Sequence, residues 1–357
     1  MVPSPLVDLR VLPNMDDASW DAFVADHPHG HFLQGAGWAR LRGQYGWSCE
    51  RVVVGSRGAP AAGAQLMVKR ARLGSFAYVP RGPVCSPDSA AWPVLLDAIR
   101  RRARCCVALR MEPNWADTPG ERDRLRAAGL LAGEATQPPS TIRIRIDREE
   151  EAILDGMKQK WRYNIRLAAR QGVTVRDGTE GDLPTFERLM DETSRRDGFP
   201  RREAGYYAAV CRALGPLAAR LHVAVLGEEV LAAVLVVHYG RGATYLYGAS
   251  SGTHRQRMPN HALQWAAIRQ ARREGCRDYD LWGIPDAVGL AVRDGAAPEG
   301  VPVGRGGLWG VWGFKRGFGG RVWRSVGAWD DVYSPARYWL AFHAFPLARR
   351  WLARVRS

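Results

Sequence analysis

Apolar runs punctuated by glycine-containing turns dominate this chain, and such runs predict strands. In the first half, residues 51–54 and 63–68 are two of them, with a turn at 56–59 between. Residues 75–79 form a third, followed by a helix at about 92–102 and a strand at 106–111. The second half repeats the order: strands at 221–226 and 230–239 around a turn at 227–229, a strand at 243–248, a helix at 260–274 and a strand at 278–282. The offset between the copies is about 170 residues. Within the second helix, Ala262, Trp265, Ala266 and Ile268 recur with the period that buries one helical face. This order predicts an α/β or α+β chain, with one mixed sheet flanked by helices in each half.

The segments between the copies are less regular. Residues 134–140 hold two prolines and no apolar periodicity, as a linker would. Residues 141–146 alternate Ile with Arg, the pattern of an edge or interfacial strand. Residues 149–171 predict a single helix, acidic at its start, basic towards its end and stopped by Gly172. Residues 286–307 are rich in Gly and Pro and are expected to form a surface loop.

At 357 residues the chain is long enough for two domains with cores of their own. Its 46% hydrophobic and 24% charged residues suit a soluble globular protein. The net charge of +15 and a pI near 10.1 change the picture, because they point to a polyanionic partner. Nucleic acid, an anionic membrane surface and phosphorylated small molecules all qualify. Residues 1–12 lack the basic and then apolar pattern of a secretory leader, so none is expected. No apolar run reaches the roughly 20 residues of a transmembrane helix either. The six cysteines include the adjacent pair Cys105 and Cys106 but no C-x-x-C spacing, which suits reduced thiols in a cytoplasmic protein.

Candidate chemistry starts from the lysines. Of 51 Lys and Arg residues only four are Lys, at positions 69, 158, 160 and 315. A lysine is a compact point charge where an arginine is a planar fork, so a chain that writes its cations as Arg and retains Lys315 marks it as a candidate for chemistry. Lys158, Arg162, Arg166 and Arg170 fall at four-residue intervals, a cationic stripe that suits phosphates lying along a helix or else a solvated face. Arg201 and Arg202 precede Tyr206 and Tyr207, which pairs guanidinium forks with phenol rings. His27, His29 and His31 lack a carboxylate or thiol partner at ligand spacing, so no metal site is expected. The tail after Ala336 mixes aromatic residues with Arg349, Arg350, Arg354 and Arg356, a composition that suits a membrane interface or packing against the body.

Several segments together resemble the FemABX peptidoglycan bridge-forming aminoacyltransferases over nearly the whole chain. They are Phe32-Leu33-Gln34 with Gly37-Trp38; Lys160 to Arg166; Tyr247-Gly248-Ala249-Ser250-Ser251; Met258-Pro259 with Leu263-Gln264-Trp265; Tyr279-Asp280-Leu281-Trp282-Gly283-Ile284; and Phe314-Lys315 with Gly317-Phe318-Gly319-Gly320. The resemblance implies two tandem GCN5-related N-acetyltransferase-like domains without the coiled-coil arm of some relatives. The first would span 1–145, completed by about 318–357, and the second 146–317.

The resemblance also implies a reaction. An amino acid would pass from aminoacyl-tRNA, a co-substrate rather than a cofactor, to a side-chain amine on the stem peptide of lipid II or UDP-MurNAc-pentapeptide. It implies that Lys315, beside Phe314, stabilises charge at the reacting ester. Arg42 and Arg202 would hold phosphates, with Trp38, Tyr206 and Tyr247 in the acceptor pocket and Glu112 as a candidate proton acceptor. Lys158, Arg162, Arg166 and Arg170 would face the tRNA. The pattern departs at Arg42, where relatives carry Lys, and at Val107, where some place Tyr. A monomer in the cytoplasm, touching the inner membrane leaflet peripherally, is expected. The alternative on the same fold is an acyl-CoA-dependent N-acyltransferase, but the loops before both long helices lack the usual pyrophosphate-binding spacing.

Overall fold

A computed structural model describes residues 8–344 and divides the chain into two compact units. The first unit opens with β1 (Arg10–Val11), α1 (Asp17–Asp26) and α2 (Ala36–Gln44). Three antiparallel strands follow, β2 (Trp47–Ser56), β3 (Ala59–Ala71) and β4 (Gly74–Val79). The crossover helix α3 (Ala91–Ala103) leads to β5 (Ala108–Met111), which pairs parallel to β4. Trp92, Leu95, Leu96 and Ile99 on one face of α3 enter the core, while Arg101 and Arg102 face solvent. After α4 (Pro119–Ala127) and the short β6 (Leu131–Gly133), the chain leaves this unit at Gln137.

The second unit spans Pro138–Arg324. It begins with β7 (Ser140–Arg145), α5 (Glu150–Asp155), α6 (Gln159–Arg170), β8 (Thr174–Asp177), α7 (Leu183–Asp197) and α8 (Tyr206–Leu214). The strands β9 (Ala219–Leu226), β10 (Glu229–Tyr239) and β11 (Gly242–Ser250) are antiparallel, and α9 (Pro259–Arg273) crosses to β12 (Asp278–Gly283), parallel to β11. This repeats the β2-β3-β4-α3-β5 order of the first unit. Then come α10 (Asp286–Arg293), α11 (Trp309–Lys315) and β13 (Arg321–Arg324). The chain rejoins the first unit at Ser325, where β14 (Ala328–Val332) inserts between β5 and β6 before α12 (Pro335–Trp339). The sheets run β1-β2-β3-β4-β5-β14-β6 and β13-β7-β12-β11-β10-β9-β8. The longest helices described, α7 and α9, have 15 residues each.

Four expectations need correction. The unit boundaries fall at 137/138 and 324/325 rather than 145/146 and 317/318, because β7 and β13 both hydrogen-bond within the second sheet. For the same reason β7 is internal, between β12 and β13, and not an edge. Its Arg143 is accommodated by Asp280 and by the Trp323 ring, 3.5 Å from the guanidinium carbon. The helix expected over 149–171 breaks between α5 and α6, where the Lys158 N–H bonds the Gly317 carbonyl at 2.9 Å. Part of the loop expected over 286–307 is the helix α10. Asp286 at its start accepts from Ser140 and pairs with Arg324, and Gly289 lies so close to Ser140 that a Cβ would overlap its hydroxyl.

In the tail, Tyr338 donates to Asp330 and Phe342 packs on Phe76 in the first unit. Most of the stretch expected to suit a membrane interface, residues 345–357, lies outside the described residues. No helix among the described residues is long and apolar enough to cross a membrane, and none of their side chains form a metal-binding cluster.

Candidate active site

The two motifs that stand out in the sequence meet in the second unit. The start of α6 lies against α11, and Trp161 donates its indole N–H to the Phe314 carbonyl at 3.1 Å. Gly317 permits this approach, since a Cβ there would come within 2.0 Å of the Trp161 ring. Gly319, at φ +78°, lets the chain turn against the Gly156 carbonyl. Phe314 and Phe318 stack edge-on at 5.0 Å, and His261 of α9 sits 5.3 Å from Phe314. These contacts leave Phe314 and Lys315 little freedom.

Lys315 is buried, and its Nζ donates to the Gly283 carbonyl at 2.7 Å. The same Nζ lies 5.5 Å from the centre of the Tyr245 ring. Burial lowers the ammonium pKa to about 7, and the nearby Asp280 carboxylate opposes that fall. Lys315 therefore exchanges its proton in the neutral range, unlike an ordinary surface lysine.

Phe314 and Tyr245 also line a cleft of about 300 Å³, the low end of the range for small-ligand pockets. The cleft opens beyond the C-terminal end of β11 and beside the first turn of α9. That turn has no side-chain cap; Pro259 carries no N–H and the His261 N–H bonds the Met258 carbonyl at 3.0 Å, so what the turn offers an anion is the positive end of the helix dipole. Arg196, Ser250, Asn260 and His261 add polar character. Burial pushes His261 down to about 4, with Lys160 adding to the effect, so its imidazole is neutral at physiological pH.

A second group assembles on α8 and β11. The Tyr206 and Tyr247 hydroxyls lie 3.0 Å apart, and the Arg202 guanidinium stands 5.0 and 5.6 Å from their rings. Tyr247 is two residues from Tyr245 on β11, so one strand carries both the Lys315 and the Arg202 neighbourhoods.

The remaining site candidates belong to the first unit. Trp38 is buried and packs edge-on against Phe32. Arg42 is buried with its guanidinium 5.1 Å from Trp47, a ring that Lys69 also approaches. The Phe32-Leu33-Gln34 segment is structural. Gln34 is fully buried, accepts from the Gln65 N–H and donates to the Pro80 carbonyl, tying β3 to the loop after β4. Glu112 is likewise committed. Its carboxylate accepts from the Tyr78 hydroxyl and from the backbone N–H groups of Thr136 and Gln137, while burial raises its pKa.

The cationic stripe is not uniform. Lys158, Arg166 and Arg170 are exposed on α6 or at its start. Arg162 instead turns back and donates to the carbonyls of Leu154, Asp155 and Met157, which close α5. Sequence reading missed Tyr245, His261 and Asp280 as site residues. Only Asp280 and His261 carry a signal of their own, a charge inside a strand pattern and an imidazole at a Pro-led helix start.

Comparisons with known proteins bear on this geometry. Residues 15–121 match the FemAB family and residues 156–288 match the acetyltransferase (GNAT) domain. The chain is 26% identical to a lipid II:glycine glycyltransferase of Staphylococcus saprophyticus, over 91% of this chain and 94% of that protein. Its fold resembles the crystal structure of FemX at a TM-score of 0.82 and 24% identity, over 93% of this chain and 99% of that one. A tandem GNAT protein from the clavulanic acid pathway shares the fold more distantly, at a TM-score of 0.51 and 11% identity over 92% and 99% of the two chains.

Proposed function

We propose that the chain, similar over nearly its whole length to a lipid II:glycine glycyltransferase and to FemX, is an aminoacyltransferase that moves an amino acid from aminoacyl-tRNA to a side-chain amine on the stem peptide of a peptidoglycan precursor. The observation that carries this reading is Lys315, a buried ammonium with a pKa of about 7 that lies under the Tyr245 ring and next in sequence to Phe314, both of which line the cleft. In the reaction the acceptor amine attacks the ester carbonyl, a C–N bond forms, and the C–O bond to ribose breaks. The amine's proton ends on the departing ribose oxygen. An aminoacyl ester is already activated, so alignment and stabilisation of the oxyanion suffice. Lys315 supplies that stabilisation while protonated.

The uncapped start of α9 and Arg196 suit the phosphates near the end of the tRNA, and the exposed Lys158, Arg166 and Arg170 suit its backbone. Arg202 between Tyr206 and Tyr247 fits a phosphate of the precursor, and Arg42 is a comparable buried cation in the first unit. Lipid II and UDP-MurNAc-pentapeptide both present such a diphosphate.

The test is direct. The purified protein is incubated with a mixture of charged tRNAs and either precursor, and product masses are read. A gain of one or more aminoacyl residues that disappears after RNase treatment supports the reading and identifies the amino acid. Acylation from acetyl-CoA, with no aminoacyl gain on either precursor, would overturn it.

A further inference from the structure

Strand β12 ends in an irregularity that the proposed chemistry does not yet use. Asp280 pairs with Arg143 across β7 and Gly283 pairs with Thr141, so Leu281 and Trp282 face the single residue Ile142 and form a bulge. Trp282 takes φ +60°, a left-handed conformation that a bulky residue keeps only when its surroundings impose it. The Asp280 side chain imposes it. Its Oδ1 accepts from the Trp282 backbone N–H at 2.7 Å and from the Thr141 hydroxyl, while Arg143 donates to its Oδ2 at 3.3 Å. The same Thr141 hydroxyl lies 3.0 Å from the Trp282 carbonyl, so its one proton is shared between the two acceptors. The next residue, Gly283, then presents its carbonyl to Lys315. A side chain at Gly283 would strike Pro138, which fixes the path further.

We propose that Asp280 is the positioning residue for Lys315: its carboxylate shapes the 280–283 bulge so that the Gly283 carbonyl anchors the Lys315 ammonium, and it places a negative charge on the same bulge. The inference rests on Lys315 being the ester-stabilising group. The charged and titratable groups facing the ammonium are Asp280 on β12 and Tyr245 on β11, with Arg143 on β7 partly neutralising Asp280. The lowered pKa of Lys315 leaves it sensitive to a change in this balance.

Four lysines make the test tractable, because the full chain labelled with [ε-¹³C]lysine gives four resonances and Lys315→Met identifies one of them. Asp280→Asn retains an oxygen for the Trp282 N–H but removes the charge. It is expected to move the Lys315 titration to lower pH and the alkaline limb of the transfer rate by the same amount. Arg143→Gln, which removes the opposing cation, is expected to move both upwards. Unmoved Lys315 titrations in the two variants refute the proposal, even if transfer slows, because slowing alone reports a structural role. Shifted titrations together with full transfer by Lys315→Met would leave the Asp280–Lys315 relation standing and remove the role of Lys315 in the reaction.

Discussion

Replacing Lys315 with Met should stabilise the fold while abolishing transfer. In the folded chain the ammonium titrates near 7, against an ordinary lysine value of 10.5, so the gap is 10.5 less about 7, or roughly 3.5 pH units. At about 1.4 kcal/mol per unit the buried charge costs about 5 kcal/mol relative to neutral lysine. Methionine removes that cost but leaves the Gly283 carbonyl without its donor, a loss of about 1–3 kcal/mol. The net expectation is a gain of about 2–4 kcal/mol at pH 6. The pH dependence gives the sharper check. Below pH 7 lysine is protonated in both folded and unfolded chains, and above 10.5 in neither. Between those values the unfolded chain holds a proton that the folded chain has lost. Stability of the natural protein should therefore rise with pH in that window, by about 1.4 kcal/mol per unit relative to the Met variant. Urea unfolding of both proteins from pH 6 to 10 measures the difference, since the other titrating groups are shared. Parallel curves across the window would show that Lys315 is an ordinary charged lysine, and the argument from burial would fail.

The Gly317 contact predicts a coupled pair. Gly317→Ala pushes a Cβ into the Trp161 ring and should cost about 1–3 kcal/mol, while the double variant Gly317→Ala with Trp161→Leu should lose less than the sum of the two single changes. Additive unfolding energies would rule out direct contact. The cations of α6 should separate by role. Arg162→Ala removes the donor that closes α5 and should lower stability by about 1–3 kcal/mol. Arg166→Ala should leave stability unchanged, weaken tRNA binding and reduce the slope of log affinity against log salt by about 0.7–0.9. Equal effects of the two changes on the salt slope would contradict this division.

Much of the architecture was legible because its signals are local. The repeated strand-turn-strand-strand-helix-strand order depends on apolar runs and glycine turns, and α3 and α9 both appear within a residue or two of their expected positions. Long-range packing explains the misreadings. Gly289 looks like a loop residue, yet it allows α10 to lie against Ser140. Arg143 looks like an edge residue, yet Asp280 and Trp323 accommodate its charge on a strand paired on both sides. The split of 149–171 follows from the Lys158 bond to Gly317, a partner more than 150 residues away.

The site shows the same division between local and distant causes. Lys315 stood out because composition alone isolates it among arginines, whereas Asp280 reads in sequence as one acid in a strand. Its importance depends on a left-handed Trp282, a bulge against β7 and a carbonyl aimed at an ammonium 32 residues later. The lysine needs this scaffold. Its charge is costly to bury, and the nearby Asp280 carboxylate opposes the fall in its pKa that burial causes. On the proposed reading the Phe-Lys pair and the Tyr-Asp-Leu-Trp-Gly-Ile segment are two halves of one device, one supplying the charge and the other the carbonyl that holds it.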